Sequence, residues 1–361
     1  MSTSNTTSLL GARHKQNRPD LRKTGAHPDF WYPLARSRAV KPGKIVGVTF
    51  AGDPIALART GSGKVFAVEN RCAHRQVPLS AGIMCGERLK CGYHGWLYDA
   101  SGRCVNVPYL DKGKSLPNGV RSYPCREDYG LIFVFPGDPN RAGDVAFPDI
   151  RTSADPRYKT RYLDRQVACH YSFLHENLMD MNHQFLHRRI MSRIRTTFLD
   201  LREGDDWVEV DYTFSRVGKQ PAGERFILGN SSAPSDTRPH DLMTVRTQYP
   251  HQILKFWTAG SGEPALDLWI TYVPVDREQR ANHTFGLINI RKPGIPGLIH
   301  LMWPFIHHFT QGIFDEDRWI VELEQKAFDT QGADWNNEIF PVILKVRELL
   351  LRQGVPIAYG L

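Results

Sequence analysis

The chain has 361 residues, of which 41% are hydrophobic and 23% charged, and it carries a net charge of +8. These are globular proportions with room for two domains, which excludes a disordered chain. The basic excess is dispersed among acids and no nucleic-acid motif accompanies it, so nucleic acid is set aside as a partner.

Residues 1–27, from Met1 to His27, are polar and basic without an apolar stretch, so they show no secretory signal and read as a disordered tail. A cytoplasmic location is the expectation, with an organelle transit peptide as the rival reading. Between Lys44 and Phe135 short β-branched runs of period two occur at Ile45–Phe50, Ile55–Arg59, Val65–Val68 and Leu131–Phe135. They predict a small antiparallel β domain over residues 28–150. Gly61-Ser62-Gly63-Lys64 lacks the third glycine and the helix of a dinucleotide fingerprint, so it reads as a hairpin turn. With no nicotinamide or flavin site, electrons must come from another protein.

Two segments of this domain, Cys72-Ala73-His74 and Cys91-Gly92-Tyr93-His94, each offer one thiolate and one imidazole. That is the donor set of a [2Fe-2S] cluster whose irons are held by two Cys and by two His. Zinc accepts the same atoms, but zinc fingers usually put both Cys in one segment and both His in another. The stretches 72–75 and 91–99 resemble the two halves of the Rieske motif. The resemblance implies Cys72, His74, Cys91 and His94 as cluster ligands, with Tyr98 and amides near Arg75 as hydrogen-bond donors to the sulfurs. The other cysteines, Cys85, Cys104, Cys125 and Cys169, read as free buried thiols.

Asp144 to Pro156 marks a boundary, and a second domain follows over residues 151–361. Strand-like runs at Val208–Phe214, Val245–Tyr249, Ile253–Trp257, Leu268–Val273 and Thr284–Ile290 alternate with helices near 170–190, 315–330 and 337–352, an α+β pattern. Ile339, Val342, Ile343, Val346, Leu349 and Leu350 give the last helix a core face, and Gly354 stops it. The charge-free run Pro293 to Phe314 is long enough for a membrane span. Three prolines and three histidines make it a buried or pocket-lining segment instead, with no firm membrane association.

On a helix from Tyr171 to Arg188, Leu174, Leu178, Met181 and Phe185 share an apolar stripe, and Asn177, Asp180, His183 and His187 share a polar one. The second stripe contains only groups that bind metal or orient ligands. Two His at i and i+4 can reach one cation, and an added carboxylate completes the facial triad of non-haem Fe(II) oxygenases. Glu176 to His183 resembles the mononuclear-iron helix of Rieske non-haem iron oxygenases, in the branch of vanillate and dicamba demethylases. That family usually places four residues between its two ligand His; this chain has three.

The resemblance implies a helix-grip, START-like catalytic domain and a third ligand early in a late helix. Asp315, Glu316 and Asp317 are not separated by spacing; the resemblance assigns Asp317. It also implies Asp180 as a bridge between His183 and a cluster imidazole, His94, of the next subunit in a head-to-tail homotrimer, with Asn177 lining the iron cavity. The expected function is a terminal oxygenase component, using O2 and electrons relayed from NAD(P)H by a separate reductase or ferredoxin. It would hydroxylate or demethylate an apolar, aromatic or polycyclic small molecule. Phe256, Trp257, Trp269, Phe285, Trp303 and Phe309 could line its pocket, although core packing accounts for them better. A Rieske electron carrier with a ligand-binding second domain is the alternative, but it leaves the metal-binding stripe without a purpose.

Overall fold

The computed structural model describes residues 20–111, 113–191, 193–217, 222–228, 241–258 and 261–357. Residues 1–19 of the expected tail lie outside the described residues. The tail itself stops short of His27. Asp20 caps a 3-10 turn at Leu21–Lys23, and Thr24–Gly25 pairs antiparallel with Val355–Pro356. Two buried side chains, Leu21 and Arg22, hold this segment to the body. A polar, basic sequence gives no hint of such anchoring, because the partner strand is more than 300 residues away.

The N-terminal part is built from short antiparallel sheets. The expected strands form at Ile45–Phe50, Asp53–Arg59, Val65–Glu69 and Leu131–Val134. Strands of two to five residues join them, including Ile83–Cys85, Arg88–Lys90, Leu97–Tyr98 and Cys104–Asn106, which form a separate four-stranded sheet. Such short pieces lack a readable alternation. A small second core of Phe66, Val68, Leu79, Leu89, Tyr98 and the two motif cysteines lies under this sheet. Cys85 is exposed, unlike the other thiols and contrary to expectation; it sits at a hairpin end opposite Arg88.

The C-terminal part is one seven-stranded antiparallel sheet. Its edge strand Tyr158–Val167 pairs with Asn282–Arg291, and the sheet continues through Leu266–Pro274, His251–Trp257, Leu242–Gln248 and Trp207–Val217 to Arg193–Glu203. The helix Tyr171–Met179 packs against this sheet and contacts both the long helix Leu298–Gln331 and the last helix Pro341–Gln353. Val342, Ile343, Val346, Leu349 and Leu350 are buried as the periodicity requires, whereas Ile339 precedes the helix and is exposed. The N-terminal domain shares the large core: Phe133 meets Trp269 edge-on at 6.1 Å, and the Ala51 amide donates to the Pro274 carbonyl at 2.8 Å.

Two helices depart from the sequence reading. The ligand helix does not run to Arg188 but ends at Asp180, whose backbone is extended. The reason is local: the Asp180 carboxylate accepts the Asn182 amide at 2.8 Å and so caps a new 3-10 turn, Met181–Phe185. The Tyr212 hydroxyl meets the Met179 carbonyl at 3.0 Å and satisfies one of the acceptors freed at the helix end. The late helix begins at Leu298 rather than near 315 and passes through Pro304. Pro304 has no N–H for the His300 carbonyl, but both residues are exposed and water can take the bond. Most of the Pro293–Phe314 run is therefore not buried, since Ile295, Leu301 and Phe305 are exposed and only Ile299, Ile306 and Thr310 are buried, but Phe314 at its end does line a cavity. Among the described residues no helix is long and apolar enough to cross a membrane.

Candidate metal centres

The two motif loops of the first domain close in the same way. In each, the Cys amide donates to the carbonyl five residues on, Cys72 to Val77 at 2.9 Å and Cys91 to Trp96 at 2.8 Å. The amide four residues on returns to the Cys carbonyl, from Gln76 at 2.9 Å and from Gly95 at 3.2 Å. Both returning residues have positive φ, 61° and 71°. Glycine adopts this readily, whereas Gln76 holds it at a cost. The result places two buried thiols beneath two exposed imidazoles whose rings lie 4.6 Å apart.

Trp96 stacks flat on His74, with centroids 4.8 Å apart and planes 3° apart, and fixes that ring. The Tyr98 hydroxyl lies 3.1 Å from Cys72 Sγ, as expected, and accepts the Ala73 amide at 3.1 Å. Burial pushes the Cys91 thiol up, aided by the neighbouring Cys72, against the Tyr93 and His94 amides that favour its thiolate. Paired buried thiols fit a bound cluster, whose irons would bring positive charge beside them.

The second set forms in the C-terminal domain. Donor atoms of His183, His187 and Asp317 all lie within 4.8 Å of one another. The two His come from the 3-10 turn and its exit, and Asp317 comes from the middle of the long helix. His187 Nε2 stands 3.3 Å and His183 Nε2 3.9 Å from the same Asp317 Oδ1, with the two rings at 89°. The 3-10 turn, not a regular helix, brings the pair together. His187 Nε2 is buried and makes no aligned hydrogen bond, an orphan that a cation would satisfy.

Second contacts aim these donors. His183 Nδ1 meets the Asp180 backbone carbonyl at 2.5 Å, and His187 Nδ1 meets Glu316 Oε2 at 2.9 Å, so both rings turn Nε2 toward Asp317. Burial lowers His187, but the Asp317 and Glu316 carboxylates outweigh it and hold the imidazole above its ordinary value. Burial likewise raises Asp317, and the His187 and His183 rings with the Asn177 amide reverse this to hold the carboxyl below its usual range. The donor set and its orphan fit a cation held by two imidazoles and one carboxylate.

Asn177 donates to Asp317 Oδ1 at 3.0 Å and lines a small cavity with Leu163, Val167, Leu178, Tyr272 and Phe314. Asp180 differs from its expected part within the chain, since its backbone carbonyl rather than its carboxylate meets His183. Of the acids at 315–317, Asp315 turns away to Arg165 at 2.5 Å. The orienting roles of Glu316 and Trp96 escaped the sequence reading, although each lies beside or inside a motif already singled out. Phe256, Trp269 and Phe285 are core, and none of the six expected aromatics lines the cavity.

Residues 30–124 match the Rieske [2Fe-2S] domain, and residues 167–348 match the vanillate O-demethylase oxygenase C-terminal domain. The chain is 39% identical, over 89% of its length and 94% of the relative's, to the dicamba O-demethylase oxygenase component of Stenotrophomonas maltophilia. It is 31% identical to 4beta-methylsterol monooxygenase of Methylococcus capsulatus, over 93% of this chain and 90% of that one. Dicamba monooxygenase bound to dicamba superposes with a TM-score of 0.73 at 25% identity, covering 90% of this chain and 97% of that one. With two matched domains in this order, the chain belongs to the Rieske non-haem iron oxygenases and is a terminal oxygenase component with a [2Fe-2S] cluster and a mononuclear iron.

Proposed function

We propose that Cys72, His74, Cys91 and His94 hold the cluster and that His183, His187 and Asp317 hold the mononuclear iron, for hydroxylation or oxidative demethylation of an apolar, aromatic or polycyclic small molecule. The observation that carries this reading is the convergence of three donors on one point beside an apolar cavity. When bound, the cluster supplies electrons and the iron supplies O2 activation. The protein's own part is geometric. Three protein donors leave coordination positions open, Asn177 steadies the Asp317 carboxylate, and Leu163, Leu178 and Phe314 keep water from the reacting carbon.

Electrons enter from a separate reductase or ferredoxin at the exposed face of His74 and His94, as befits a chain whose relatives are oxygenase components. Onward transfer runs between subunits of a homotrimer, with His94 of one copy facing Asp180 of the next. The Asp180 carboxylate has a second oxygen to offer such an imidazole, its first being engaged by the Asn182 amide. Changing His183→Ala tests the assignment. Iron should fall from about three to about two per chain, and turnover should drop by at least about a thousandfold, with the visible cluster spectrum intact. Undiminished iron and turnover would overturn the triad.

A further inference from the structure

The loop before the long helix and the first turns of that helix contain no Asp, Glu, Lys or Arg from Pro293 to Phe314, yet much of their apolar surface is uncovered. Ile295, in the loop between Pro293 and Pro296, is 65% exposed. Leu301 and Phe305, one helical turn apart, are 72% and 65% exposed. At about 100° per residue both point away from the buried Ile299, Ile306 and Thr310. Singly exposed apolar side chains are ordinary on a protein surface. Three large ones within eleven residues, with no charge among them, make a patch.

Cations border this patch without counter-charges. Lys159, on the edge strand, places Nζ 2.9 Å from His300 Nδ1 and 4.2 Å over the Trp303 ring. Lys292, just before the loop, is exposed and donates to the Pro156 carbonyl at 2.6 Å. Burial and the charge of Lys292 both hold the Lys159 ammonium below its ordinary value, so the two groups are neighbours. Among the described residues neither forms an ion pair, and the nearby carboxylates of Asp155 and Glu263 are both bonded to Arg157. Exposed apolar side chains rimmed by cations fit an anionic lipid surface, where the apolar groups enter the acyl boundary and the ammonium groups meet phosphates. Pairing of the patch with itself in a second copy would instead bring Lys159 and Lys292 against their own kind, and like charges oppose that contact. Pro293 and Pro296 fix the backbone of the loop, so the surface is formed before any lipid arrives.

We propose that this end of the protein rests on an anionic bilayer, with Ile295, Leu301 and Phe305 inserted and Lys159 and Lys292 on lipid phosphates, and with no segment crossing the membrane. The inference is independent of the metal assignments. It would place the enzyme beside the phase into which an apolar substrate partitions.

The test is flotation of the metal-loaded protein with vesicles of phosphatidylcholine alone and of phosphatidylcholine mixed equally with phosphatidylglycerol, at low and at high salt. The mixed vesicles should bind at least about tenfold tighter than the neutral ones, and high salt should remove most of that preference. Leu301→Gln with Phe305→Gln, which keeps good helix formers on the exposed face, should weaken binding to the mixed vesicles at least about tenfold. Lys159→Gln with Lys292→Gln should weaken it by a similar factor, at least about tenfold, and leave binding to the neutral vesicles unchanged. Circular dichroism and the cluster spectrum report the fold of each variant. No binding by the unaltered protein, equal binding to neutral and mixed vesicles, or binding that survives either pair of substitutions would overturn the proposal. Should the unaltered protein ignore vesicles and its sedimentation mass fall on Leu301→Gln with Phe305→Gln, the face would belong to a protein contact instead.

Discussion

The two metal centres are assembled by opposite strategies. The proposed cluster donors come from two equivalent loops within 23 residues, with thiols buried and imidazoles exposed. The proposed mononuclear donors come from two helical segments separated by most of the domain, with His187 buried and His183 and Asp317 half-buried. One centre is local and outward-facing, the other depends on tertiary packing and faces inward. The difference suits a centre that must exchange electrons with partners and one that must exclude water.

Losing a cluster donor should show the sharpest contrast. Cys91→Ala is expected to abolish the visible cluster spectrum and cut turnover by at least about a thousandfold, while Fe(II) still binds at the inner site, as metal analysis can check. Loss of both metals together would mean the centres are not independent. Asp180→Asn keeps the cap on Asn182 but removes the charge proposed to link the centres. Single-turnover reoxidation of the reduced cluster should slow by about ten- to a hundredfold at unchanged iron content. Equal rates would remove the bridge.

Glu316→Gln sharpens the inward-facing half. It weakens the partner of His187 Nδ1, and Fe(II) affinity should fall about tenfold while the cluster is untouched. The smallest effect belongs to the outward-facing domain. Hydrogen bonds from Arg59, countered in part by burial, hold the Glu127 carboxyl below its ordinary value. A depressed carboxyl stabilises the fold above its unfolded-state pKa and loses that contribution as pH falls through the folded value. Arg59→Gln should therefore shift acid unfolding to higher pH, with a loss of stability near neutral pH of no more than about 1 kcal/mol because Glu127 is partly exposed. Circular dichroism against pH measures it.

The same division decided what the sequence disclosed. Cys72, His74, Cys91 and His94 were legible because the chemistry is compressed into short loops. The late strands and the last helix were legible because one buried face imposes a period. Asp317 could be separated from Asp315 and Glu316 only by resemblance, since the choice depends on how the long helix is rotated against the sheet. Asp180 was misplaced on a continuous helix because its capping of Asn182 competes with helix continuation, and periodicity counting does not register that competition. Leu301 and Phe305 were expected inside because apolar composition does not reveal which face is covered.

The strap at residues 20–27 sets a lower limit on what can be excised. Arg22 inserts from that segment to meet Glu176 at 2.8 Å and to stack 3.6 Å above Phe173, directly beneath the turn of helix that presents Asn177. A fragment trimmed to the matched stretches would retain every proposed metal donor yet discard this guanidinium and the terminal strand that clasps it. The packed body is consequently longer than the motifs by which such chains are recognised.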